Sequence, residues 1–187
     1  SGFLLTNSES VTIQGFQVTN FEHGIRLTGN TRYNLVLGNL FLSNATAGIF
    51  LDSSMSFNTN MSNTVVGSFY GILMSNAHHD YAFSNRLTLN TNGIGVLDGS
   101  ISNEIVGNYI HTNLEAGINL SNSGTNTIVG NLLLSNATPV VAGVIQIQWG
   151  STGNLVVSNT ISGWQGYYGI HLYYANQNRI LSNSLVG

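Results

Sequence analysis

Apolar and polar residues alternate with period two along almost the whole chain, in short runs broken by Asn, Gly and Ser. Period two is the spacing of a strand, whose successive side chains point to opposite faces; a helix would repeat at 3.6. The runs themselves recur about every 23 residues. Asn-x-(apolar)-x-(Gly/Ser)-Asn-x-(apolar) reads Asn34-Leu-Val-Leu-Gly-Asn39-Leu-Phe41, Asn103-Glu-Ile-Val-Gly-Asn108-Tyr-Ile110 and Asn126-Thr-Ile-Val-Gly-Asn131-Leu-Leu133. It returns as Asn154-Leu-Val-Val-Ser-Asn159-Thr-Ile161 and Asn178-Arg-Ile-Leu-Ser-Asn183-Ser-Leu185. A second signal follows: Gly24-Ile-Arg-Leu, Gly48-Ile-Phe-Leu, Gly71-Ile-Leu-Met, Gly93-Ile-Gly-Val, Gly117-Ile-Asn-Leu and Gly169-Ile-His-Leu. Such a fixed period predicts a solenoid, in which each repeat buries itself against its neighbours.

Three strands fit each repeat. The first turns Val36, Ile105, Ile128, Val156 and Ile180 inward. The second turns in Phe41, Val65, Leu87, Ile110, Leu133 and Ile161; the third, Ile25, Ile49, Ile72, Ile94, Ile118 and Ile170. The copy at Asn58 is degenerate, with Asn60 where an aliphatic belongs, and the run Asn63-Thr-Val-Val-Gly67 competes for its register. Asn58 is preferred because it keeps the distance to Gly71. Gly, Asn and Ser between strands tolerate the left-handed backbone of tight turns. Three strands per coil, stacked ~4.8 Å apart, describe an all-β parallel β-helix of about seven coils.

On these motifs the chain resembles the right-handed parallel β-helix repeat of the pectate-lyase-like superfamily. The nearest resemblance is to the Asn-rich variety in NosD-like and carbohydrate-binding or sugar-hydrolase modules. It spans essentially the whole chain. It implies a fold and leaves function open, because such helices include lyases, hydrolases, epimerases, tail-spikes, adhesins and non-enzymatic surface proteins.

Asn39, Asn63, Asn85, Asn108, Asn131, Asn159 and Asn183 are expected to stack at one corner, and Asn44, Asn90, Asn113 and Asn136 at another. Stacked identical amides bond the layers above and below and satisfy buried turn backbone. Residues 1–187 read as one β-helix domain. Both ends fall inside a coil without a polar cap, so a segment of a longer solenoid, or a stacking subunit, is expected.

Only 6% of residues are charged, against about 25% in ordinary soluble domains. Lysine is absent, and Arg26, Arg32, Arg86 and Arg179 are the only arginines. Four scattered arginines argue against a nucleic-acid partner and against a polybasic membrane patch. No run approaches the ~18 apolar residues of a membrane span, so no membrane insertion is expected. Absence of cysteine excludes disulfides and thiolate metal sites. Low charge with abundant Asn, Ser, Thr and Gly suits an extracellular or cell-surface protein.

The resemblance implies where catalysis would lie: calcium-holding aspartates with a proton-abstracting arginine in lyases, or several aspartates on adjacent coils in hydrolases. Glycoside hydrolysis needs two carboxylates about 5–9 Å apart. The acids are Glu9, Glu22, Asp52, Asp80, Asp98, Glu104 and Glu115. Asp52 and Asp98 fall two coils apart, roughly 10 Å. Asp80 takes an anchor position where Asn is the rule, and Glu104 points outward between Tyr81 and Thr127. No acid pair matches, so no catalytic residue and no cofactor is expected. His78 and Asp80 form a weak metal candidate without a third ligand; a solvated polar turn is the alternative.

Two groups of side chains remain. The turn before the third strand is lengthened in two consecutive coils, as Ala137-Thr-Pro-Val-Val-Ala142 and Gly163-Trp-Gln-Gly-Tyr-Tyr168. With Trp149, Tyr173 and Tyr174 at the far end of that strand, Trp164, Tyr167 and Tyr168 offer aromatic faces for sugar stacking; the alternative is a local lid over the solenoid. The second group is an apolar column facing outward on the first strand: Leu37, Met61, Phe83, Val106, Val129, Val157 and Leu181, flanked by Leu35, Tyr81 and Leu155. Seven coils make it about 30 Å long. An exposed apolar stripe of that size marks an interface, with another chain or with flanking sequence of the same chain. The sequence thus favours a non-catalytic structural or surface-assembly role, with polysaccharide binding or cleavage through the aromatic turns as the alternative.

Overall fold

A computed structural model describes residues 1–53, 56–137 and 143–187. Among the described residues three parallel sheets of eight strands each wind into a β-helix of about eight turns, close to the about seven expected. The first sheet runs from Thr12–Gln14 to Arg179–Leu181, the second from Gln17–Thr19 to Ser184–Val186, and the third from Phe3–Thr6 to Tyr168–Tyr173. Each strand pairs in register with its counterpart one coil away: Ile72 meets Ile49 on one side and Ile94 on the other. The pairing of Thr59–Met61 with Leu35–Leu37 and Tyr81–Phe83 settles the degenerate copy in favour of Asn58.

Burial follows the alternation. The middle residue of each short strand points inward, and Val36, Phe41, Ile105, Ile110, Ile128 and Ile161 are fully buried. In the third sheet Ile25, Leu27, Ile49, Leu51, Ile94 and Val96 complete the core. The Gly of the Gly-Ile-x-Leu signal is there for space: a Cβ on Gly71 would sit 2.6 Å from the Gly93 carbonyl of the next coil. Asn60 lies in the core row between Val36 and Ala82, buried, its Nδ2 donating to the Tyr81 carbonyl at 3.2 Å.

The corners are held by amides. Asn108 Oδ1 accepts from the Asn85 backbone N–H at 2.9 Å and from Asn85 Nδ2 at 3.0 Å. Its own Nδ2 donates to the Ala82 carbonyl and to Asn131 Oδ1, both at 2.9 Å. The pattern repeats from Asn39 to Asn183, and at the next corner through Asn90, Asn113 and Asn136. A third ladder runs through the anchor positions themselves, from Asn34 to Asn178. Asp80 is one of its rungs: its Oδ1 accepts from Asn58 N and Nδ2 at 2.8 and 3.0 Å. Buried main-chain groups at a turn have no sheet partner, and these side chains supply one.

Replacing Asn108 by Ala strips the Asn85 N–H and the Ala82 carbonyl of this partner. At about 1–3 kcal/mol per buried group left unpaired, the expected loss of stability is about 2–6 kcal/mol. Thr160→Ala, on the exposed face of the second sheet, is expected to stay within about 0.5 kcal/mol. Chemical denaturation of both variants measures the difference; equal midpoints would contradict the ladder's role.

Candidate functional site

Every coil must reverse direction after its third strand, and it does so through a left-handed residue. In chain order these are Asn7, Gly29, Ser53, Asn76, Asp98, Asn122, Trp149 and Tyr174, with φ of 49°, 70°, 53°, 50°, 54°, 49°, 54° and 49°. The first six are small or carry short polar side chains that suit this conformation. Trp149 and Tyr174 do not; a bulky side chain here costs roughly 1–2 kcal/mol.

These two rings join a continuous aromatic face. Tyr168 stacks on His171 at 5.2 Å, and His171 on Tyr173 at 6.1 Å. Tyr173 meets Trp149 edge-on at 5.0 Å and Tyr174 edge-on at 4.5 Å. Trp149 stacks on Tyr174 at 6.0 Å, and Tyr167 leans on Tyr168 at 6.3 Å. Tyr167, Tyr174 and Trp149 remain 71%, 69% and 55% exposed. From Tyr167 to Tyr174 the rings follow the strand for about 20 Å. Beside them, one and two coils back, lie the amides of Gln146, Gln148 and Asn119, with Gln148 Nε2 donating to Asn119 Oδ1 at 3.1 Å.

Of the six aromatic residues singled out from sequence, five thus come together. Trp164 does not: it is partly buried, packs on the core and lies over Gly169. Of the preceding lengthened turn, residues 138–142 lie outside the described residues. His171 was missed, because an isolated histidine at an outward position gives no signal of its own.

Four of the acids are engaged separately. Asp52 pairs with Arg26, Glu9 with Arg32 at 2.9 Å, Asp98 accepts from Ser75 Oγ at 2.7 Å, and Glu115 from Asn92 Nδ2 at 3.1 Å. His78 and Asp80 do not share an open site. Asp80 is buried in the anchor ladder, while His79, left-handed at φ 55°, turns outward to stack on Phe57. Burial holds the imidazoles of His23, His78 and His111 below the ordinary histidine range.

A second aromatic group escaped the sequence reading. Tyr33, Phe57 and His79 occupy one left-handed turn position in three successive coils and stack at 5.6 Å each, with Tyr81 and Phe83 continuing the line. A surface cavity of about 690 Å³ opens beside Tyr33 and Phe57, walled by the Glu9–Arg32 pair. Their signal in the sequence is the spacing of about 23 residues between turn positions, where strand alternation carries no information.

The outward column of the first sheet runs in register through Leu37, Met61, Phe83, Val106, Val129, Val157 and Leu181. Its members are partly buried against one another, with Leu181 exposed. Leu35, Tyr81 and Leu155 flank it on the same face.

A family model described as NosD, periplasmic copper-binding protein, matches residues 1–163. No curated protein sequence matches the chain. Among solved structures, the periplasmic alginate epimerase AlgG superposes with a TM-score of 0.73 at 19% identity, over 92% of this chain and 50% of that one. DFA-IIIase from Arthrobacter chlorophenolicus A6 gives 0.78 at 14% identity, over 96% and 50%. The A-module of the Azotobacter vinelandii mannuronan C-5 epimerase AlgE4 gives 0.69 at 15% identity, over 95% and 60%. At these identities the likeness is one of fold, and the chain spans about half the length of the first two. The family description names copper. Yet among the described residues no three His, Asp or Glu side chains meet, the chain lacks cysteine, Met74 is sealed in the core and Met61 stands in the apolar column of the first sheet, with Met55 outside the described residues. This donor set does not fit a copper centre, which gathers imidazole and sulfur ligands at one point.

If Trp149 and Tyr174 are kept against the preference of their turns, Asn should suit the fold better. Trp149→Asn and Tyr174→Asn are expected to hold the stability of the parent or raise it by up to about 1 kcal/mol. Thermal melting measures this; a loss above about 2 kcal/mol would make the rings structural.

Proposed function

The chain belongs to the NosD family, and we propose that it binds polysaccharide without cleaving it, in an extracellular or periplasmic setting. The glycan lies along the aromatic face of the third sheet. The observation that carries this reading is the pair Trp149 and Tyr174, held left-handed where six earlier coils use small or short polar residues. Local strain retained by bulky, exposed side chains is a mark of ligand sites. The rings supply apolar surface for the C–H faces of sugars, and Asn119 and Gln148 supply donors and acceptors for hydroxyls. The scattered, separately engaged carboxylates favour binding over hydrolysis, which needs two acids across one bond. The names of AlgG and AlgE4 point to polysaccharide chemistry on this fold, and the words periplasmic in the family and AlgG descriptions favour export.

Affinity electrophoresis through gels containing a panel of polysaccharides tests the reading. The parent protein is expected to be retarded by at least one polymer. Trp149→Ala combined with Tyr168→Ala is expected to weaken that binding at least about tenfold, or 1.4 kcal/mol. Unchanged retardation of the double variant would remove the aromatic face from the account.

A second reading rests on the unbroken outward column of the first sheet, from Leu37 to Leu181. It has two rods packing side by side through this face, each covering the other's apolar column. Here the partner is a second copy, whose side chains repeat at the same strand spacing. Sedimentation velocity at high protein concentration is expected to reveal association that Leu37→Glu, Phe83→Glu and Val157→Glu together abolish. A parent protein that stays monomeric would contradict it.

A further inference from the structure

The charge around the aromatic face selects among glycans. The face itself holds no Lys, Arg, Asp or Glu. The nearest fixed charges along the sheet are both negative: Asp98 occupies the turn position of Trp149, and Glu115 precedes Ala116 in the row of Tyr168, each two coils back. Two coils are about 10 Å, close to the screening length of about 8 Å at physiological salt. The four arginines stand elsewhere. Arg26 is paired with Asp52 and Arg32 with Glu9, Arg86 covers the Tyr109 ring on the second sheet, and Arg179 is on the first sheet. The residues outside the description, 54–55 and 138–142, are uncharged by sequence. The face thus offers a carboxylate or sulfate no Lys or Arg, its one basic side chain being the ring-stacked imidazole of His171, and the formal net charge of −3 adds to the repulsion.

What the face offers fits uncharged sugars. Gln148 Nε2 and Asn119 Oδ1 are engaged with each other at 3.1 Å, which leaves Gln148 Oε1 as an acceptor and Asn119 Nδ2 as a donor. A hydroxyl answers both, whereas a carboxylate only accepts. We infer that the ligand is a neutral polysaccharide and that uronate and sulfated polymers are rejected. The inference rests on the glycan-binding reading and names the substrate class of that same face.

The test is affinity electrophoresis of the full chain in galactomannan, xyloglucan and mixed-linkage glucan against alginate and polygalacturonate. Each is run at about 0.01 M and about 1 M NaCl, where the screening length falls from about 30 Å to about 3 Å. The expected result is retardation by a neutral polymer, changing no more than about twofold between the two salts, with none by either acidic polymer. Trp149→Asn serves as the folded variant that loses the effect. Retardation by alginate or polygalacturonate at either salt overturns the inference while leaving glycan binding in place. Retardation by no polymer overturns both.

Discussion

Everything in this molecule depends on a side-chain amide that accepts from the rung before it and donates to the rung after it. A three-sided solenoid has to turn its backbone three times per coil, and at each corner buried N–H and C=O groups point where no strand can meet them. Asn answers with one acceptor and two donor hydrogens on a short stem. Because a rung must meet its counterparts above and below, the stacking of the corners is pinned wherever the ladder is continuous, while the number of residues between rungs runs from 22 to 28. The step from Asn131 to Asn159 spans 28 residues where that from Asn108 to Asn131 spans 23, and the rungs still meet at 2.9 Å. Asp80 takes its place in the same scheme by accepting from Asn58.

With inward positions fixed by packing and corners by amides, variation is left to outward positions and turn residues. The three flanks have diverged accordingly. The first is an apolar column, the second mixes polar and aromatic side chains, and the third ends in rings and amides. One scaffold thus presents surfaces of different chemistry, and function attaches to rows rather than to the fold. The aromatic face illustrates the cost of such use. Trp149 and Tyr174 occupy the turn position that Asn, Gly, Ser or Asp fills elsewhere, and their backbone keeps the same left-handed turn, φ 54° and 49°.

The fold was legible in the sequence because each determinant is local and repeated. Period-two alternation placed Val36, Phe41 and Ile25 inward, and the Asn spacing placed the corners; both are visible without knowing any contact. The site was legible only in part. Trp149, Tyr173 and Tyr174 could be assigned to one end of a strand by counting from Gly-Ile-x-Leu. Trp164 could not be separated from Tyr167 and Tyr168, because whether a ring in a loop packs down or stands out depends on contacts such as that of Trp164 with Gly169. The Tyr33–Phe57–His79 stack needed a comparison of turn residues between coils, positions at which alternation carries no information.

The central claim is that the corner amides are as integral to the structure as the strands. Native-state hydrogen exchange tests it most directly, by following the turn N–H groups of Asn85, Asn103, Asn108 and Asn126, which donate to the next rung at 2.9 Å. The account predicts that they exchange only when the whole solenoid opens, with the protection of neighbouring strand N–H groups such as Ile105 and Ile110. Turn N–H groups exchanging orders of magnitude faster than those strands would contradict it.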